Sequence, residues 1–136
     1  MLICADEFIK RLDKMELKYE VFEKDGDKVY ILIPHRNKVY MCLFKGEGGK
    51  YLSVKTTWCK VPEENLAKAL LCANEINSKY KWVKLFVDED LGLMAVSDTI
   101  LTPSTAAIYA SELLVDRLIG ILEEQADFID KAVNGK

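Results

Sequence analysis

Residues 51–77 have the sequence YLSVKTTWCKVPEENLAKALLCANEIN, in which the spacing of apolar side chains changes from two residues to three or four. Before Pro62 the alternation is that of a β-strand, with one face formed by Leu52, Val54, Thr56 and Trp58. Pro62 at the first helical position and two acids behind it suit a helix start. The stretch therefore predicts a strand that leads into a helix, which ends near Ser78 with Asn77 as a left-handed cap.

The segment that precedes this stretch predicts a short helix over 5–17 and then hairpin-connected strands over 19–23, 29–33 and 39–45. Turns are expected at Asp25-Gly26-Asp27, at 35–38 and at 46–49, with Pro34 closing the second strand. Both faces of the second and third strands are apolar. We assign Val29, Ile31, Ile33, Val39, Met41 and Leu43 to one face, and Tyr30, Leu32, Tyr40, Cys42 and Phe44 to the other. Helices, a second subunit or a partner segment must cover both.

The segment that follows predicts strands over 82–87 and 93–101, joined by a loop over 88–92. Thr102 and Pro103 then start a long helix over 103–133. Its wide apolar face comprises Ile108, Leu114, Val115, Leu118, Ile119, Ile121, Leu122, Phe128 and Ile129. The predicted fold is α+β: one domain over 1–136, with a mostly antiparallel sheet flanked by helices in the order α-β-β-β(-β)-α-β-β-α.

Composition places the chain among globular domains. It has 136 residues, of which 50% are hydrophobic, and no apolar run approaches the roughly 20 residues of a membrane span. The net charge is −3, which gives no general attraction to nucleic acid or membrane. The charge is uneven, however: residues 1–62 carry 12 basic and 9 acidic side chains, and residues 63–136 carry 7 and 13.

The four cysteines, Cys4, Cys42, Cys59 and Cys72, lack the close spacing of zinc or redox sites. With one histidine in the chain, we expect neither a metal nor another cofactor. The N-terminus does not resemble a secretory signal, so the expectation is a cytoplasmic protein with reduced, buried thiols.

Candidate catalytic groups are sparse. His35 lies in a polar turn and is expected to be solvent-exposed. The glycine-rich turn at 46–49 precedes a strand, whereas phosphate-binding loops open a helix. Asp88 and Asp90 lie in a hairpin loop without calcium-loop spacing, so a solvated turn is the first interpretation and a metal or ligand site the alternative.

The strands over 36–60 are locally basic, because this segment contains six basic residues and one acid. We take Arg36, Lys38, Lys45, Lys55 and Trp58 as candidate partner-binding residues, with Tyr40 and Tyr51 beside them. Lysines on outer strands that only prevent aggregation are the alternative.

The segments VPEE (61–64), NEIN (74–77) and WVKLFVD (82–88) resemble the YbjN-type family of proposed bacterial sensory transduction regulators. The resemblance covers most of the chain and implies the fold of type III secretion chaperones, many of which dimerise and hold a segment of a client protein. Its marker positions here are Pro62, Asn74, Asn77 and Trp82. For the asparagines we expect a structural role at the helix end.

The sequence therefore predicts a non-catalytic, chaperone-like regulatory module that acts as a cytoplasmic homodimer and binds a protein or peptide. A small-ligand or metal-binding protein, or an enzyme with a pocket near Asp88 and Asp90, is the alternative. Nucleic-acid binding ranks last.

Overall fold

The computed structural model describes residues 2–24 and 26–136. Asp25 of the first predicted turn lies outside the described residues, and so do the side chains of 24 and 113–115, which include the predicted helix-face residues Leu114 and Val115. The helices are α1 (Ile3–Lys14), α2 (Leu66–Lys79), α3 (Pro103–Ser111), α4 (Ile119–Glu124) and α5 (Ala126–Val133). The strands are β1 (Glu20–Lys24), β2 (Lys28–His35), β3 (Lys38–Lys45), β4 (Tyr51–Lys60), β5 (Lys84–Val87) and β6 (Gly92–Ile100). This order confirms the predicted α+β class.

The described strands form one six-stranded sheet in the order β1-β2-β3-β4-β6-β5, with every neighbouring pair antiparallel. The register of β2 with β3 corrects the predicted faces. Ile31 lies opposite Cys42 and Ile33 opposite Tyr40, so Tyr40, Cys42 and Phe44 share the face of Val29, Ile31 and Ile33. The prediction failed because alternation fixes the two faces of each strand but leaves open which faces of neighbouring strands coincide.

The large core side chains of the sheet lie on that face, under the helices. The Phe8 ring of α1 meets the Phe44 ring of β3 edge-on at 5.1 Å between centroids. Leu52 and Val54 of β4, together with Leu93 of β6, continue this buried layer. The helix-covered face therefore holds the core, and the opposite face of the sheet is available to solvent or partners.

The predicted long helix over 103–133 is wrong, because the segment is divided into α3, a π-helical turn over Glu112–Arg117, α4 and α5. Leu118 has φ −125° and ψ −66°, which breaks the helical path. A π turn rotates the following residues about the helix axis. The divided segment buries Leu118, Ile119, Leu122 and Ile129.

Several boundaries also differ from the prediction. Helix α1 ends at Lys14 because Glu16 has a left-handed backbone with φ 56°. Pro34 does not close β2, which continues to His35, and Pro34 pairs with Val39. Pro62 precedes a short 3-10 turn over Glu63–Asn65 and does not occupy the first position of α2. Strand β5 begins at Lys84, so Trp82 lies outside it. The Thr102 cap of α3 is confirmed, with Pro103 at the first helical position.

Candidate interaction surface

The sheet face opposite the helices, called here the open face, is mainly apolar and partly exposed. Phe22 is 51% exposed, Val39 52% and Ile100 69%. Half-buried residues fill the middle of the face: Tyr30, Leu32, Met41, Leu43, Met94 and Val96. Contiguous apolar surface of this kind commonly marks an interaction site.

The register arranges these side chains in rows across the strands. One row runs from Leu32 through Met41 and Lys55 to Val96, and a second runs from Phe22 through Tyr30 and Leu43 to Ser53. Side chains directly opposite each other on neighbouring strands lie about 4.5–5.5 Å apart at Cβ. The open face is therefore a continuous strip across β1, β2, β3, β4 and β6.

Two of the predicted partner-binding residues, Lys45 and Lys55, lie on the open face. Both are exposed, and with Asp98 and Ile100 they line a groove of about 480 Å³. In the part of the chain that the structure describes, neither lysine has an ion pair, although Asp98 lines the same groove. The groove therefore offers two unpaired ammonium groups beside apolar surface.

The turn after β3 shapes the end of this groove. Gly46 has φ 80°, and a Cβ built there would lie 2.4 Å from Cδ2 of Tyr51. Only glycine allows both that backbone and the close approach of the ring. Lys50 Nζ lies 5.1 Å from the centroid of the Tyr51 ring, which adds a third cation near the groove.

The other predicted partner-binding residues, Arg36, Lys38 and Trp58, lie elsewhere, at the end of the sheet where it meets α4 and α5. Lys38 Nζ lies 4.5 Å from the centroid of the Trp58 ring and donates to the Trp58 carbonyl oxygen. Trp58 Nε1 donates to Asp130 Oδ1 at 3.2 Å. The predicted basic cluster is thus divided, and Trp58, which is 9% exposed, packs in the core. Tyr40, expected beside the cluster, is 1% exposed.

His35 is half-buried and lies beside the same helices. Its Nε2 is 2.8 Å from Glu123 Oε1, and Arg36 Nε is 3.6 Å from the same oxygen. These contacts join the β2–β3 turn to α4. His35 is therefore less free than the sequence predicted, and its imidazole links two elements of the fold.

Asp88 organises the loop between β5 and β6. Its Oδ1 accepts from the backbone N–H groups of Asp90 at 3.0 Å and Gly92 at 2.8 Å, as in an Asx turn. Lys60 Nζ donates to the Asp90 carbonyl oxygen at 2.8 Å. Within residues 2–24 and 26–136, no group of three or more His, Cys, Asp or Glu side chains is suited to hold a metal ion. Asp88 is half-buried, and its contacts stabilise the loop.

The residues that carry the family resemblance lie in different structural environments. The side chain of Asn77 forms two hydrogen bonds with the backbone of Leu85 in β5, and Asn77 lies inside α2 without a left-handed φ. The predicted left-handed cap is therefore wrong; α2 ends at Lys79, and Lys84 Nζ donates to the carbonyl oxygens of Asn77 and Tyr80. Asn74 and Pro62 are exposed.

Trp82 is 48% exposed, and the Arg117 guanidinium lies 4.0 Å from the centroid of its ring. The same guanidinium lies 5.4 Å from the ring of Tyr109. Trp82 precedes β5, whereas Arg117 ends the π turn, so residue spacing alone does not indicate this stack.

Three cysteines are buried as expected, Cys4, Cys42 and Cys72, and Cys59 is half-buried. Burial raises the pKa of all four thiols, that of Cys42 to about 12. At Cys59, desolvation is the largest cause, opposed by the charge of Lys38. Such thiols are poor nucleophiles near neutral pH.

The apolar centre of the open face was not predicted as a site. The sequence shows that both faces of strands 29–33 and 39–45 are apolar. The prediction, however, combined the open face of one strand with the buried face of the other. Phe22 of β1 and Val96 of β6 join it only through strand order, which single-strand patterns do not encode.

Each helix among the described residues is too short or too polar to span a bilayer.

Comparison with known proteins gives one family and a likeness to a solved structure. The model of the YbjN family, described as "Putative bacterial sensory transduction regulator", matches residues 5–133. No curated protein matches the chain. Among solved structures, the chain is similar to a chain of the heterodimeric complex ExoU–SpcU from the type III secretion system of Pseudomonas aeruginosa. The TM-score is 0.48 and the identity 12%, covering 93% of this chain and 98% of that chain.

Proposed function

The chain belongs to the YbjN family, and from that premise we propose that it is a non-catalytic, chaperone-like regulatory module. It acts in the cytoplasm as a homodimer, and its open face holds a segment of a partner protein. The open face is the observation that carries the proposal: an apolar strip across five strands that the described helices leave partly exposed. Such a surface costs solubility unless a partner covers it.

The charged residues around the open face indicate which kind of partner segment would bind there. Lys28, Lys45 and Lys55 belong to this face and Lys50 lies at its edge, against the carboxylates of Glu20 and Asp98. The excess is positive, although the whole chain carries −3. The segment that fits is amphipathic, with apolar side chains for the central rows and acidic ones for the lysines.

A second copy of the chain is a poorer occupant of this face. A symmetric contact between two open faces would bring together two surfaces that each carry an excess of positive charge. Like charges at an interface disfavour association. The homodimer of the proposal therefore uses another surface.

The chemistry of the remaining side chains supports a non-catalytic role. The single imidazole, His35, is engaged with Glu123, and burial keeps the cysteine thiols protonated. Four free cysteines without a disulfide suit the reducing cytoplasm.

A labelled peptide of simple composition tests the proposal before any partner is identified. The probe is a fluorescein-labelled peptide of alternating leucine and glutamate, compared with its leucine–lysine counterpart, and the readout is fluorescence anisotropy at low and high salt. We expect the acidic peptide to bind more tightly, with an affinity that falls as salt rises.

The variant Lys45→Glu/Lys55→Glu should weaken that binding about tenfold or more, since each site changes from attraction to repulsion. The matched control is Lys81→Glu/Lys131→Glu, which changes the net charge equally at exposed positions away from the open face. Equal affinity in both variants, or preference for the basic peptide, would remove the support for an acidic partner on this face.

A further inference from the structure

A cavity of about 220 Å³ lies where the turn between β2 and β3 meets α4 and α5. The residues that line it lie in the turn, on the helix-covered face of the sheet and in the two helices, so the cavity is separate from the open face. Drug-sized ligands occupy pockets of roughly 300–1,000 Å³. An occupant of this cavity is therefore a smaller molecule.

The hydroxyl group of Tyr40 is the feature that indicates a ligand. Tyr40 is 1% exposed, and it lines the cavity, so its hydroxyl oxygen keeps access to that space. Its ring meets the His35 ring edge-on at 6.5 Å between centroids. Among the described residues, none forms a hydrogen bond with the hydroxyl. Buried hydroxyl groups are normally hydrogen-bonded, and this one is left for a molecule in the cavity.

Two carboxylates that line the same cavity each have a free oxygen. Glu123 contacts the β2–β3 turn through Oε1, and Asp130 accepts from Trp58 Nε1 through Oδ1. Glu123 Oε2 and Asp130 Oδ2 have no partner in the part of the chain that the structure describes. Together with the Tyr40 hydroxyl oxygen they provide three acceptors, which matches the three donors of a primary ammonium group.

The electrostatics at the hydroxyl favour a cationic group. Burial raises the pKa of Tyr40, and the charge of Glu123 raises it further. A carboxylate has this effect because the negative potential that it creates opposes ionisation of the phenol. The same potential attracts an ammonium group to the inner part of the cavity.

Donor groups lie at the turn, on the outer side of the cavity. Arg36 is 72% exposed at its side chain, and its Nε lies 3.6 Å from Glu123 Oε1. The two terminal nitrogens of the guanidinium have no partner within residues 2–24 and 26–136, and neither has the exposed amide of Asn37. A guanidinium group binds a carboxylate through two parallel hydrogen bonds. The turn can therefore bind the acidic end of a small molecule.

We infer that this cavity binds a free α-amino acid, with its ammonium group toward Tyr40, Glu123 and Asp130 and its carboxylate toward Arg36. The contact between Arg36 and Glu123 makes the acidic and basic halves of the site adjacent, as the two charged groups of an α-amino acid are on one carbon. The charged residues that line the cavity also balance, with Arg36 and Lys38 against Glu123 and Asp130. A molecule that carries both charges and no net charge matches this arrangement.

The site adds a small ligand to a chain for which the proposed function gives only a protein partner. An amino acid bound here contacts the turn, the sheet and both helices, so it should stabilise the folded chain. Thermal unfolding with the common L-amino acids, added one at a time, identifies the ligand that raises Tm most. Isothermal titration calorimetry then measures its dissociation constant.

Two analogues of that amino acid test the ligand class. One is the amine that remains after removal of the carboxylate, and the other is the acid that remains after removal of the amino group. We expect each to bind about tenfold more weakly or worse, since each lacks one of the two charge-assisted contacts.

Two variants test the residues. Tyr40→Phe removes only a hydroxyl that has no partner in the free chain, and Asp130→Asn removes a charge but keeps an acceptor for Trp58 Nε1. Each should raise the dissociation constant about tenfold. The matched controls Tyr30→Phe, on the open face, and Asp127→Asn, at an exposed position of α5, should not change it. Circular dichroism confirms that each variant is folded.

Three results would overturn the inference. If the amino acids neither raise Tm nor bind in calorimetry, the cavity is not an amino-acid site. If the amine or the acid binds as tightly as the parent amino acid, the ligand class is wrong. If Tyr40→Phe and Asp130→Asn bind the amino acid as tightly as the unaltered chain does, it binds elsewhere. Peptide binding by the open face is judged separately, by its own experiment.

Discussion

Asn77 near the end of α2 forms a two-bond bracket with Leu85 in β5: Asn77 Nδ2 donates to the Leu85 carbonyl oxygen at 3.0 Å, and Asn77 Oδ1 accepts from the Leu85 N–H at 2.7 Å. The asparagine amide thus pairs with a backbone donor and acceptor of an edge strand as a neighbouring strand would. The bracket fixes the position of β5, the four-residue strand at one end of the sheet.

Loss of the bracket should destabilise the chain. Asn77→Ala removes both partners of the Leu85 backbone, and we expect the free energy of unfolding to fall by about 2–3 kcal/mol. Urea denaturation measures the loss, and Asn74→Ala, at an exposed position of the same helix, is the control. Equal stability of the two variants would contradict the role of the bracket.

The end of α1 contains strain that a substitution can remove. Glu16 has φ 56°, and Leu17 N–H donates to the Leu12 carbonyl oxygen at 3.1 Å across the turn. Glycine adopts this backbone without steric cost, so Glu16→Gly should raise the free energy of unfolding by up to about 1 kcal/mol. Glu16→Ala keeps the Cβ and should give no such gain; if both variants respond alike in urea, strain is not the cause.

Stability should fall in alkaline solution. Burial raises the pKa of the Cys42 thiol from its ordinary value of 9.0 to about 12, and burial with the nearby Glu123 charge raises that of Tyr40 from 10.0 to about 12. Between about pH 9 and 12 the unfolded chain therefore binds fewer protons than the folded chain, so the stability that is complete below pH 9 is lost as the pH rises.

Urea denaturation at pH 8, 9, 10 and 11 measures this decline. Tyr40→Phe removes one of the two groups and should reduce the slope of stability against pH above pH 10, whatever its effect at pH 8. An unchanged slope would show that Tyr40 ionises as freely in the folded chain as in the unfolded one.

The stack of Arg117 on Trp82 should be measurable as a coupling. The guanidinium lies 4.0 Å from the ring centroid, and such a partly exposed pair contributes about 0.5–1 kcal/mol. A double-mutant cycle with Arg117→Met and Trp82→Leu should return a coupling of this size in urea denaturation. Additive effects of the two substitutions would mean that the stack does not stabilise the fold.

The parts of the fold that were predicted correctly depend on local signals. The alternation through Leu52 and Val54 and the cap at Thr102 are each set by neighbouring residues. The faces of β2 and β3 were assembled wrongly because the registry of Ile31 with Cys42 depends on the turn between the strands. A break at Leu118 cannot be read from periodicity, since the apolar residues on both sides continue a helical pattern.

The candidate site was likewise predicted correctly only where local sequence determines it. Lys45 and Lys55 were identified from their local charge and do lie together, on neighbouring strands of the open face. Arg36, Lys38 and Trp58 were grouped with them by closeness in sequence, but the alternation of strand faces and the position of the β2–β3 turn separate them. Phe22 and Val96 entered the site only through the order of the strands.

The most direct test of the central claim, that a partner segment lies on the open face, is a methyl NMR titration of the chain labelled at its methionines. Met41 and Met94 lie on the open face, whereas Met15 lies at the end of α1 and serves as the internal reference. On addition of the leucine–glutamate peptide, we predict that the methyl signals of Met41 and Met94 shift and that of Met15 does not. Shifts confined to Met15, or unchanged signals at a peptide concentration that saturates anisotropy, would contradict the claim.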